Sequence, residues 1–268
     1  MKYGISCLSI IPMRSEPSEK TEMVSQLLFG ETYSIVEQFG NWIRIESETD
    51  HYTGWIDSKQ HTEISPTFHH RILTEPSKIT TALIGTVFSD HYPVFHIVRG
   101  SHLPCYDDHK HFFSIEDKFY RYKPSQETHQ ESISLQNAEP QAERILSTAY
   151  GYLGTPYLWG GRSPFGIDCS GFTQMVYKIN GYSLMRDSSQ QAEQGKAVES
   201  IGLSLPGDLA FFCNSEGKIT HTGIIVNENK IIHCSGFVRI DFLDEKGIYN
   251  TDNDKYTHLL CLIRRITW

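Results

Sequence analysis

The sequence predicts an α+β fold behind a β-rich front, on three observations. Short apolar runs punctuated by Gly, Asn and Pro fill the first part of the chain, and apolar residues at helical spacing appear only in the second. The polar stretch KPSQETHQESISLQNAEP at 123–140 lies between them. The 268 residues, 39% of them hydrophobic, suffice for a substantial core, as one large domain or as two to three smaller ones.

Residues 1–62 read as short strands at 25–28, 32–38, 42–46 and 54–56, with Gly30, Gly40 and Asn41 at the turns, the pattern of a small β-barrel. Further apolar runs at 82–88 and 92–98, followed by Gly100 and Pro104, make 63–123 a second small barrel. The stretch 124–139 has no sustained periodicity and reads as a linker. From 140 to 268 the character changes. Pro140 suits a helix start, and Ile145, Leu146, Ala149, Tyr152 and Leu153 recur at helical spacing until Gly154. A second helix begins around Cys169, because Phe172, Met175, Val176 and Ile179 form an i, i+3, i+4, i+7 stripe that ends at Asn180 and Gly181. β-type runs at 208–212, 222–226, 230–234 and 259–266 follow, so helices precede an antiparallel sheet.

The formal net charge of −8, with no Lys/Arg block to neutralise a run of phosphates, argues against a nucleic-acid partner. The same acidity opposes long-range attraction to anionic wall polymers and membrane surfaces. No long apolar run predicts a transmembrane helix, and MKYGISCLSIIPMRSEPSEK makes a poor signal peptide, so the expected location is the cytoplasm. Cysteines at 7, 105, 169, 213, 234 and 261 are scattered through a chain too long to need staples, which predicts reduced thiols. Cys213, His221, His233 and Cys234 lack the close pairs of a structural zinc site, so no metal is expected.

Cys169 stands at a helix N-terminus, where unpaired backbone N–H groups and the helix dipole favour an anion and therefore the thiolate. Gly160, Gly161 and Gly166 permit a tight loop before it, and Ser170 and Gly171 leave the first turn uncrowded. A cysteine entering a helix is by itself more often an inert thiol, so a nucleophile needs a base and a group to orient that base. His221 in HTGIIV and His233 in KIIHC flank Asn227, Glu228 and Asn229, the signature of a hairpin. An odd-numbered loop, such as 227–229, sets Gly223 opposite His233 and makes His221 its diagonal neighbour on the same face. An even-numbered loop sends the two histidines to opposite faces.

GTPYLWGGRSPFGIDCSGF at 154–172 resembles the nucleophile motif of the NlpC/P60 cysteine peptidases, and PGDLAFF (206–212), ITHTGIIV (219–226) and IIHCSG (231–236) resemble that family's later blocks, in order. The resemblance covers about 140–268. It implies a papain-like catalytic domain with Cys169 as nucleophile, His221 as general base and His233 as the orienting third member, without a cofactor. It also implies that the Tyr157 hydroxyl and the Cys169 backbone N–H hold the oxyanion. A front made of two bacterial SH3-like barrels is similar to the subgroup that cleaves murein peptides carrying a free N-terminal L-Ala, at the bond between γ-D-Glu and a diamino acid.

SLMRDSSQQ (183–191) resembles a substrate-contacting segment of this subgroup. An ammonium group calls for a carboxylate, so Asp187 and Asp168 are candidates for the L-Ala amine, with Ser170 and Ser188 for polar substrate atoms. SEPSEKTEMVSQLLFGE (15–31) and DHYTGWID (50–57) resemble pocket-closing segments, which adds Glu22 and Tyr52. Cys234 departs from the small residue usual beside the third member and is read as a second, oxidisable thiol. The resulting expectation is a monomeric γ-D-glutamyl-L-diamino acid endopeptidase of murein-peptide recycling. Its rivals are an amidase cutting between muramic acid and L-Ala, and a non-catalytic wall-binding protein.

Overall fold

Alternating burial marks the first sheet: every second residue of β2 (Ile10–Arg14), β5 (Trp42–Ser47) and β6 (Thr53–Asp57) faces a core. The structure, a computed structural model, describes residues 2–266 apart from Pro76, 90–92, Asp108, 125–131 and 135–141. It divides into two units. One is Met1–Asn137 with Gly160–Pro164, and the other is Ala138–Trp159 with Phe165–Trp268.

In the N-terminal unit, those strands join β1 (Tyr3–Ile5), β3 (Met23–Leu28), β4 (Thr32–Phe39) and β7 (Thr62–Ile64) in the order β3-β2-β6-β5-β4-β1-β7. Ile11, Met13, Leu27, Tyr33, Ile43, Ile45 and Ile56 form its core, each aliphatic side chain stabilising the sheet by about 1.5–3 kcal/mol over its exposed state. The helix α1 (Pro66–Thr74) follows, capped by Ser65 Oγ, which accepts the Phe68 N–H at 3.1 Å.

The 63–123 region then forms β8 (Lys78–Thr80), β9 (Ile84–Ser89), β10 (Phe95–Val98), β11 (His102–Leu103), β12 (Phe112–Ile115) and β13 (Lys118–Pro124), ordered β10-β9-β13-β12 and β11-β8-β14. Here β14 is Ser132–Ser134, so the stretch read as a linker contributes a strand against β8, while Pro140 lies outside the described residues. Ile5 of the first sheet and Phe29 in the turn after β3 enter the core of this second group beside Val87, Ile97, Leu103 and Phe113.

The returning loop Gly160–Pro164 includes β15 (Arg162–Ser163) and is fixed by one buried ion pair. Arg162 gives both guanidinium nitrogens to Glu31 at 2.9 Å, and its backbone N–H donates to Gln26 Oε1 at 2.8 Å, with both charged side chains almost fully buried. Gly160 adopts φ +74, and a Cβ there would stand 2.2 Å from the Met23 carbonyl oxygen, so only glycine permits this approach.

The second unit opens with α2 (Ala142–Tyr150), β16 (Gly166–Ile167) and α3 (Cys169–Ile179). Every residue of α3 is buried, including the predicted stripe, so it is a central helix packed against α2, where Tyr152 meets Phe172 edge-on. After α4 (Ser188–Gln191) and β17 (Lys196–Val198) come β18 (Leu209–Cys213), β19 (Ile219–Asn227), β20 (Lys230–Ser235), β21 (Phe237–Leu243), β22 (Gly247–Asn250) and β23 (Lys255–Arg265).

The predicted sheet closes on itself. β23 pairs with β18 on one side and β22 on the other, making a six-stranded ring to which β17 adds outside. Ala210, Phe212, Ile225, Ile231, Leu243, Ile248 and Ile263 fill it. Cys213 and Cys261 are joined as a disulfide across β18 and β23, Cα to Cα 5.9 Å, which corrects the reading of all six cysteines as reduced.

Replacing Glu31 by Ala strands the Arg162 charge in the interior without its carboxylate. The expected cost is about 3–5 kcal/mol, read as a lowered midpoint in urea denaturation.

Candidate active site

Asp168 caps α3: its Oδ1 accepts the Gly171 N–H at 2.6 Å, which starts the helix at the next residue, Cys169. Arg186 holds that carboxylate from the side, through Nη1 at 3.1 Å and a short second contact through Nη2, and also donates to Ser170 Oγ at 2.9 Å. All three are buried. Gln191 ties α4 to the same turn, donating to the Ser170 carbonyl at 3.0 Å and accepting from Thr173 at 2.7 Å. Asp187, at the N-cap of α4, and Ser188, its first residue, are thereby positioned on a helix that packs against β19.

The β19–β20 hairpin sets the histidines. Gly223 stands opposite His233, and a bulge between Ile225 and Asn227 precedes the closing pair Asn227 and Lys230. The turn is therefore the two residues Glu228 and Asn229, and the extra residue Val226 keeps the count odd. His221 and His233 share a face as diagonal neighbours, with His221 Nε2 2.8 Å from His233 Nδ1. A Cβ on Gly223 would lie 2.7 Å from His233 Cβ, so the glycine makes room for the contact.

Across the other edge of β20, Asp241 is the second diagonal partner, its Oδ2 2.9 Å from His233 Nε2. Arg239 Nη2 donates to Asp241 Oδ1 at 2.9 Å and to Asp252 at 2.7 Å, and its Nε lies 2.8 Å from Asp241 Oδ2. His258 on β23 stacks on His221, ring centres 4.1 Å apart. His221, His233 and Asp241 fall at even spacing from Ile225, Ile231 and Leu243, so they form a polar layer on the face that fills the ring.

Cys169 meets this layer through Thr222, the residue after His221, whose backbone N–H hydrogen-bonds the sulfur, as does that of Ser170. His233 engages Nε2 of His221, so Nδ1 is the ring nitrogen outside that contact. Burial, then the Asp168 carboxylate, push the Cys169 thiol up to about 12, against the pull of the two N–H groups and Arg186. The expected resting thiolate is corrected accordingly: desolvation outweighs the helix terminus. Burial, then His233 and His258, hold His221 well below 6.5.

Burial, then the nearby Cys169 and Asp168, raise the Tyr157 phenol, keeping it a hydrogen-bond donor. Tyr157 is held by its backbone N–H on Gly236 O at 2.8 Å. Cys234 donates to Ile167 O at 3.2 Å and is raised by burial and then by Cys169, the state of an unreactive thiol. Glu22 and Tyr52 belong to the N-terminal unit. Glu22 is exposed, its carbonyl accepting the Ser15 N–H at 2.9 Å, and Tyr52 packs partly buried on the first core. Sequence reasoning missed Arg186, Asp241, Arg239 and His258. Only VRID offered a signal, with opposite charges two apart on a strand beside His233.

A buried cysteine at a helix N-terminus, in a domain whose hairpin joins two buried histidines at 2.8 Å, has the residue types of a cysteine hydrolase. The chain belongs to the NlpC/P60 family, whose pattern matches residues 154–255, while the bacterial dipeptidyl-peptidase SH3 domain matches 13–60. The chain is 30% identical over 220 residues to a γ-D-glutamyl-L-lysine dipeptidyl-peptidase of Bacillus subtilis (strain 168), spanning 78% of this chain and 71% of that one. To a dipeptidyl-peptidase 6 of Lysinibacillus sphaericus it is 28% identical over 269 residues, spanning 89% and 91%. The fold is similar to that of an NlpC/P60 family protein from Bacillus cereus ATCC 10987, with TM-score 0.83, 20% identity and 99% of each chain covered.

Two outcomes follow from this geometry. Gly223→Ala should displace His233 and lower kcat/KM about 10- to 100-fold while the protein stays folded, checked by kinetics beside circular dichroism. With His221 as the base, its pKa depressed from 6.5 should put the midpoint of the acid limb of kcat/KM below that value. In the same window an unfolded His221 binds a proton that the folded one does not, so the His221 contribution to stability is lost as pH falls.

Proposed function

We propose that this enzyme hydrolyses the bond between the γ-carboxyl of D-Glu and the diamino acid of murein peptides that begin with a free L-Ala. The observation that carries the reading is the Cys169, His221 and His233 arrangement, with His233 2.8 Å from the base. Relatives named for the γ-D-glutamyl-L-lysine bond support the choice of substrate.

Cys169 Sγ attacks the γ-carbonyl carbon while its proton passes to His221 Nδ1. The oxyanion is held by the Tyr157 hydroxyl and the Cys169 backbone N–H. His221 then protonates the leaving amine, a thioester forms, and water activated by the same histidine releases L-Ala-D-Glu. Asp168, fixed by Arg186, and Asp187 at the start of α4 supply carboxylate for the L-Ala ammonium, with Ser170 and Ser188 beside them. Residues 63–123 are read as a second SH3-like barrel, built from strands that share a core with the first sheet.

The test compares L-Ala-γ-D-Glu-diaminopimelate, its N-acetylated form and intact peptidoglycan, with products identified by mass. Release of L-Ala-D-Glu is expected from the free peptide and is abolished in Cys169→Ala. Acetylation should cost about 10- to 100-fold in kcat/KM, the worth of one or two charge-assisted hydrogen bonds. Equal use of the acetylated peptide overturns amine recognition, and release of L-Ala-capped stems from peptidoglycan identifies an amidase instead.

A further inference from the structure

We propose that Asp241 is a positioning residue that sets the proton arrangement of both histidines and thereby turns the correct nitrogen of His221 towards the thiol. The inference deepens the nucleophile and base reading of Cys169 and His221 and rests on it.

The argument runs outward in. Arg239 grips Asp241, with Nη2 2.9 Å from Oδ1 and Nε 2.8 Å from Oδ2. Burial alone would raise this carboxyl, but the hydrogen bonds of His233 and Arg239 hold it below 3.8. An ionised carboxylate only accepts, so across the 2.9 Å contact His233 Nε2 must carry the hydrogen. With a single hydrogen on the His233 ring, held on Nε2, Nδ1 offers a lone pair, and across the next 2.8 Å contact His221 Nε2 is the donor. His221 Nδ1 is left with a lone pair, the form a general base needs.

Without the ionised carboxylate, nothing in this line of contacts chooses a direction. The opposite arrangement puts hydrogen on His221 Nδ1, and that nitrogen cannot then take the thiol proton. When Nδ1 does take it, the new imidazolium donates through Nε2 to His233, and Asp241 supplies the negative charge two contacts away. Besides Asp241, the charged and titratable groups around the pair are His258 stacked on His221, Arg239 and Asp252 beyond Asp241, and Asp168, Arg186 and Tyr157 around the thiol.

The test reads the hydrogens directly. In long-range 1H–15N spectra of the wild-type protein, His221 should carry its hydrogen on Nε2 and leave Nδ1 bare, with His233 likewise protonated on Nε2. Asp241→Asn should reverse or mix both rings. It should slow alkylation of Cys169 by iodoacetamide at neutral pH and lower kcat, each about 10- to 100-fold, with KM nearly unchanged, and Asp241→Glu should recover part of the loss. Hydrogen on His221 Nδ1 in the wild type overturns the proposal, and so does a folded Asp241→Asn with unchanged spectra and alkylation. Should Asp241→Asn fail to fold, the wild-type spectrum decides alone. Spectra and alkylation need no substrate, so a failure of the murein-peptide assignment remains separate from a failure of this one.

Discussion

Side chains on a strand alternate faces, and the catalytic unit depends on an odd count. Five positions, 226–230, separate the paired residues Ile225 and Ile231, and that parity puts His221 and His233 on one face. Removing the bulged Val226 would turn His221 away from His233. The strand-to-strand geometry is thus as much a part of the chemistry as the nucleophile. It places His233 on the middle of three strands, with one diagonal neighbour on each side.

The site answers desolvation with hydrogen bonds. A thiol and an imidazole buried together are cheaper neutral than charged, because the low dielectric that strengthens their partners also raises the cost of separating charge. The helix N-terminus supplies N–H groups to the sulfur, yet burial wins in the resting state. Polar side chains occupy one layer of a ring otherwise filled by Ile, Leu, Phe and Ala. Such a layer is tolerable only when its members satisfy one another.

Much of this was legible in the chain. The helix stripe ending at Gly181 gave α3, the Gly and Asn turns gave the first sheet, and the spacing of His221 and His233 narrowed the hairpin to two registers. The illegible parts have physical causes. A bulge leaves no mark in Val226, so the odd count, one of the two parities the sequence left open, arose from a two-residue turn plus one extra residue. Nothing local to Arg186 and Arg162 points to their buried carboxylates, because ion pairing over long sequence separation has no local signature. Ring closure by β22 and β23 is likewise a long-range event.

The disulfide between Cys213 and Cys261 spans 48 residues, and the segment it closes contains His221, His233, Asp241 and His258. Tying the ends of such a loop removes conformational freedom from the unfolded chain worth about 4 kcal/mol in the chain-entropy model. The strands that carry His221, His233, Asp241 and His258 are therefore cyclised as a block. Its persistence is set by the thiol–disulfide balance around the protein, and oxidation secures these side chains while Cys169, outside the loop, keeps its thiol.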